Sequence, residues 1–138
     1  MTKIRIGSGK CNNEKYTVLD LSVFKNLKSV EIGDSSYMYV KVLNITGLNE
    51  LENVMISENS FTKKKNGFGK ESNRRFFVKN CPSLRELRIG RYSFSDYVSA
   101  VIEGNDALEV IAMGELSQVS NTFYSASLEL KSVGWMEC

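Results

Sequence analysis

Histidine is absent from this chain. That removes the commonest general base and the commonest zinc or iron ligand. Only three cysteines occur, Cys11, Cys81 and Cys138. Their spacing marks neither a disulfide framework nor a four-ligand zinc site. They read as free thiols of a reducing compartment, which favours an intracellular location, with Cys81 in a buried corner. No apolar run approaches the ~18 residues of a membrane-spanning helix. The start, Met1 to Ile6, is charged but has no apolar core after it, so it does not read as a secretion signal. The net charge of +2 is too small to mark nucleic acid or an anionic membrane as a general partner. Acidic residues are scattered without a pair that forms an acid and base couple. A serine or cysteine nucleophile would have only lysine as its base. The sequence therefore points to a protein without catalytic residues, metal or cofactor.

What the chain does contain is a repeat. Leu27-x-x-Val30-x-Ile32, Leu51-x-x-Val54-x-Ile56, Leu84-x-x-Leu87-x-Ile89 and Leu108-x-x-Ile111-x-Met113 align without a gap, their leucines 24, 33 and 24 residues apart. A small residue follows each (Gly33, Ser57, Gly90, Gly114), and Tyr37, Phe61 or Phe94 closes the first three. Another apolar column precedes them: Leu19, Leu43, Phe76 and Ala100, partnered two residues later by Leu21, Ile45, Val78 and Ile102. A fixed period of this size marks a solenoid, because one unit cannot bury its own apolar face. Alternation with period two over three to five residues predicts two short strands per unit. Like strands would pair in parallel, as two ribbons with a core between them. Only Ser93 to Ala100 is a candidate helix.

The chain opens on half a unit, Ile4-x-Ile6-Gly7. Gly7-Ser8-Gly9-Lys10 lacks both the earlier glycine and the following hydroxyl of a phosphate-binding loop, and reads as a turn. Asn44-Ile45-Thr46 is a formal glycosylation sequon placed within a strand. Near the end Leu128-x-Leu130 begins another unit, with Met136 in the spine leucine's place and Phe123 or Tyr124 as a late closing aromatic. No capping turn is visible at either end. The expectation is a fragment of a longer array, or end-to-end self-association of copies through the uncapped repeats.

Leu51-Glu-Asn-Val54-Met-Ile56-Ser-Glu-Asn59-Ser-Phe61 resembles the leucine-rich-repeat pattern LxxLxLxxNxF. The pairing of Ser-Phe with a downstream Asn80-Cys81-Pro82-Ser83-Leu84 is most similar to the BspA-like branch of that family. The resemblance implies one mainly β domain over residues 1–138, a right-handed leucine-rich-repeat solenoid with little helix. It would hold about four full repeats and a half repeat at each end. The family's asparagine, which bonds backbone between turns, is replaced by Ser35, Tyr92 and Leu116 in the other units. Aromatic packing is thus expected to carry more of the regularity.

Two features point to function. The first is the insertion over residues 62–75, where Lys63, Lys64, Lys65, Lys70, Arg74 and Arg75 face only Glu71 and surround Phe68. Insertions of solenoids map to loops, often on the binding face. This one reads as a solvated insertion, a loop for a protein partner, or, less favoured, a site for nucleic acid or sulfated glycan. The second is the outward columns. Arg5, Glu31, Met55, Arg88 and Ala112 line up in one, mixing charge with apolar surface as a protein-binding strip would. Asp20, Asn44, Phe77, Val101 and Glu129 line up in the other, where Phe77 beside Val101 would be exposed unless covered. The sequence thus favours a protein-interaction module, with a structural spacer within an array as the plainer alternative.

Overall fold

In the computed structural model, which describes residues 2–63, 73–114, 122–123 and 126–131, the chain winds into a coil with two strands in each turn. In chain order the strands are β1 (Lys3–Ile6), β2 (Val18–Asp20), β3 (Ser29–Ile32), β4 (Val42–Thr46), β5 (Asn53–Ile56), β6 (Arg75–Lys79), β7 (Glu86–Ile89), β8 (Ser99–Glu103), β9 (Val110–Met113) and β10 (Ser127–Lys131). The odd-numbered strands form one parallel sheet in the order β1-β3-β5-β7-β9, and the even-numbered strands form the other. The protein is a mainly β, parallel solenoid, as the repeat predicts.

The register follows the aligned sequence residue for residue. Ile4, Val30, Val54, Leu87 and Ile111 are consecutive neighbours across the odd sheet. Leu19, Leu43, Phe76, Ala100 and Leu128 are neighbours across the even sheet. Alternate residues of β3 to β8 point inward, and Val30, Leu43, Val54, Phe76, Leu87 and Ala100 are fully buried between the sheets. Burying each large aliphatic side chain there contributes roughly 1.5–3 kcal/mol. Cys81 is buried in its corner, as expected, and burial pushes its thiol pKa upward.

The corners are as regular as the strands. Tyr37, Phe61, Phe94 and Phe123 all adopt left-handed backbone, with φ of 56, 58, 58 and 53°. For a bulky residue that conformation costs roughly 1–2 kcal/mol. Stacking offsets it: ring centroids lie 5.3 Å apart for Tyr37 on Phe61, 4.7 Å for Phe61 on Phe94 and 4.9 Å for Phe94 on Phe123, all near parallel. Phe123 thus takes the late closing position, while Tyr124 lies outside the described residues, as does Met136. In the first turn Cys11 holds the same position with φ 60°.

A second column runs beside the aromatics and replaces the missing asparagines. The Ser60 hydroxyl donates to the Gly33 carbonyl (2.9 Å) and accepts the Ser36 N–H (3.3 Å). Ser93 does the same for Ser57 (2.7 Å) and Ser60 (3.1 Å), and Ser36 for Gly7 (3.0 Å) and Lys10 (3.2 Å). Thr122 continues the column with a 2.9 Å bond to the Gly90 carbonyl. Aromatic packing alone is therefore not what keeps the turns in step. Close approach of successive turns also explains the glycines after the first and third spines. A Cβ on Gly90 would lie 2.4 Å from the Glu58 nitrogen, and one on Gly33 would lie 2.6 Å from that of Ser8.

The candidate helix is not formed. From Ser93 the chain makes turns, and β8 begins at Ser99. Ser93, Ser95 and Asp96 are wholly buried, and their side chains bond neighbouring turns instead of solvent. The left-handed Phe94 in their midst breaks any helical path.

Candidate interaction surfaces

Outward positions are set by the same alternation that buries the spine. On the odd sheet Arg5, Glu31, Met55, Arg88 and Ala112 stand side by side. Glu31 accepts from Arg5 Nε at 2.9 Å and sits 3.2 Å from Lys3 Nζ. Those two bonds, the Arg5 one foremost, hold its carboxyl below the usual range. Arg88 turns to Glu86 on its own strand, 3.2 Å away. Met55, between them, is 44% exposed. Beside it a shallow hollow of about 410 Å³ opens over Ala112, Gly90 and Gly114, with the Arg91–Glu58 pair (2.8 Å) on its bank. The strip therefore offers an apolar thioether and small residues, framed by charges that already have partners. Met suits such a surface because its flexible chain adapts to what it meets.

On the even sheet Phe77 lies between Asn44 and Val101, both register neighbours. Phe77 and Val101 are half-buried. Lys79 Nζ lies over the Phe77 ring, 5.0 Å from its centroid. The sequon side chains share this face, where the Thr46 hydroxyl donates to Asn44 Oδ1 at 2.5 Å.

The basic insertion divides. Lys64, Lys65, Phe68 and Lys70 lie outside the described residues. Lys63 is exposed, with its ammonium 5.5 Å from the Tyr39 ring. Arg75 is exposed at the start of β6. Arg74 does not belong with them, which corrects the sequence reading: it is fully buried. Its guanidinium lies 3.6 Å from Asp96 Oδ1, 3.0 Å from the Met38 carbonyl and 3.3 Å from that of Phe61. The ring of Tyr97 faces it at 5.7 Å, and the Tyr97 hydroxyl donates to the Val40 carbonyl. Buried charges persist only when paired and hydrogen-bonded in this way. Arg74 thus pins the far end of the insertion to the coil. The Lys63 N–H, donated to Asp96 Oδ2 at 3.3 Å, pins the near end.

Sequence reasoning missed this lock and the serine column. The column had a signal, the recurring dipeptides Ser36-Tyr37, Ser60-Phe61, Ser93-Phe94 and Thr122-Phe123. The lock had none, since an arginine in a run of cations reads as solvated.

At the β1–β2 end, Ile4, Ile6, Leu19 and Phe24 are half-buried around an apolar hollow of about 240 Å³. Among the described residues no group of three Asp, Glu or Cys could hold a metal ion, and no helix is long and apolar enough to cross a membrane. No protein-family model, curated protein or solved structure matches the chain.

Proposed function

We propose that this solenoid is a non-enzymatic protein-interaction module of the leucine-rich-repeat type, similar to its BspA-like branch, working without a cofactor. The observation that carries the reading is the odd-sheet strip. Met55 is exposed at its centre, while Glu31 and Arg88 on either side are held by carboxylate or cation partners. Such an arrangement has little charge to offer a polyanion and an apolar anchor point to offer a folded partner.

The test is affinity capture with the intact chain against the variant Met55→Ser/Arg88→Gln, read by quantitative mass spectrometry and followed by binding of the purified partner. The variant should weaken binding of that partner by ten-fold or more. A spacer within an array predicts equal binding by both chains, and that result would sink the proposal. A second reading, end-to-end association of copies, is favoured by the apolar hollow at the β1–β2 end. It predicts a sedimentation coefficient that rises with concentration and ceases to do so in Ile6→Glu.

A further inference from the structure

We infer that the outer face of β6 is a docking site for an extended acidic peptide segment, one that carries an apolar side chain between two carboxylates. This deepens the binding-module reading and rests on it, but it places the site on the sheet opposite Met55.

On and beside the odd sheet Lys3 and Arg5 share Glu31 at 3.2 and 2.9 Å, Arg85 meets Glu109 at 3.2 Å, Arg88 meets Glu86 at 3.2 Å and Arg91 meets Glu58 at 2.8 Å. On β6 the pattern reverses. Arg75 and Lys79 project from the same side of the strand as Phe77, and neither has a carboxylate within 4.0 Å among the described residues. Lys79 is a register neighbour of Glu103, yet it turns its ammonium over the Phe77 ring instead. Asp20, nearby on β2, is already engaged by the Ser22 N–H and hydroxyl and by Asn44. The face thus presents cation, aromatic, cation, and among the described residues no carboxylate pairs with either cation.

The surroundings are mixed. Val18 is 61% exposed, and with Val42, Phe77 and the Lys79 stem it forms the apolar part of a hollow of about 380 Å³, whose polar part is Asn44, Thr46 and the already engaged Asp20. Val101 extends this surface on the other side of Phe77. Residues i, i+2 and i+4 of a strand share one face, so Arg75 and Lys79 are roughly 13 Å apart. A peptide in extended conformation repeats the same geometry. Its own i and i+4 carboxylates reach the two cations while residue i+2 meets Phe77 and the valines. A phosphate polymer fits less well, because Asp20, Glu103 and Glu129 share this sheet and would repel a continuous line of charge.

The test is panning of a random nonapeptide phage library on the intact chain, with hits remade as fluorescein-labelled peptides for anisotropy. The expected consensus is acidic-x-apolar-x-acidic. Its affinity should fall about ten-fold or more in Arg75→Gln/Lys79→Gln, and similarly in Phe77→Ser. The charge-reversed chain Arg75→Glu/Lys79→Glu should instead take the same peptide with lysine for glutamate, an exchange that a merely unfolded variant would not show. A consensus without carboxylates would overturn the inference. So would undiminished binding to Arg75→Gln/Lys79→Gln, or tighter binding of a single-stranded thymidine 30-mer than of any selected peptide. Peptides lost from Met55→Ser/Arg88→Gln but kept by Arg75→Gln/Lys79→Gln would overturn it while leaving the module reading intact. No enrichment on the wild-type chain would overturn the acidic-peptide site, and capture of a folded partner through Met55 would still decide the module reading.

Discussion

Replacing Arg74 with methionine removes a buried charge and leaves its partner behind. Asp96 is buried beside it, and its Oδ1 accepts no hydrogen bond, so the guanidinium 3.6 Å away is what that oxygen faces. Three backbone carbonyls, of Met38, Val40 and Phe61, lose a donor at the same time. Breaking a buried pair from one side typically costs 3–5 kcal/mol, about a hundred- to several-thousand-fold in the folding constant. Arg74→Met alone should therefore lower stability by about 3–5 kcal/mol, measured by urea denaturation followed by circular dichroism. The double variant Arg74→Met/Asp96→Leu should recover most of the loss, because an apolar pair of similar volume costs no desolvation of charge. Raising the salt concentration should change the single variant's deficit little, since buried pairs are weakly screened. A deficit below about 1 kcal/mol, the range of exposed ion pairs, would refute the lock. So would a double variant as unstable as the sum of the two single changes.

Three further outcomes are expected. Phe61→Ala removes the ring sandwiched between Tyr37 and Phe94 and should cost about 3–5 kcal/mol by the same urea assay. Ser60→Ala strands the Ser36 N–H and the Gly33 carbonyl inside the coil and should cost about 1–3 kcal/mol, with faster hydrogen exchange at Ser36 as its local signature. Burial raises the pKa of Cys81 above its ordinary 9.0, and burial with the Cys11 contact raises that of Tyr37 well above 10.0. Both groups stay protonated longer in the folded chain than in the unfolded one. Their stabilising contribution is thus complete below the unfolded values and is lost as pH rises past them. Melting temperatures should hold from pH 7 to about 8.5 and then fall, and Cys81→Ala should remove the first part of that fall.

The sequence foretold the stacking of Val30, Val54, Leu87 and Ile111 because strand parity and the spacing within each spine are local properties, which the longer second turn leaves unchanged. The four spines align without a gap, so the parallel register follows at once. The outward columns were readable for the same reason: a residue between two buried ones must face out. Which outward charges would be satisfied was not readable. Arg88 chooses Glu86 on its own strand, and Lys79 prefers a ring to Glu103, and such choices depend on side-chain rotamers. Arg74 escaped because its acidic partner lies in the next turn and its sequence neighbours are all polar or charged. Ser93 to Ala100 misled because a short mixed segment carries no period of its own. Its buried serines and left-handed aromatic belong to columns that only stacking reveals.

The corner bonds have a consequence for how this chain can change length. The N–H groups of Tyr37, Phe61, Phe94 and Phe123 each bond a carbonyl of the turn before, so a residue added at such a corner would shear every contact downstream. Between Lys63 and Asn73 the situation differs, because Asp96 and Arg74 clamp the two flanks and leave both sheets indifferent to the span joining them. Foreign segments grafted there should leave the winding untouched. The coil thus carries a socket there for new recognition loops, whereas at the bonded corners it lengthens only by whole windings.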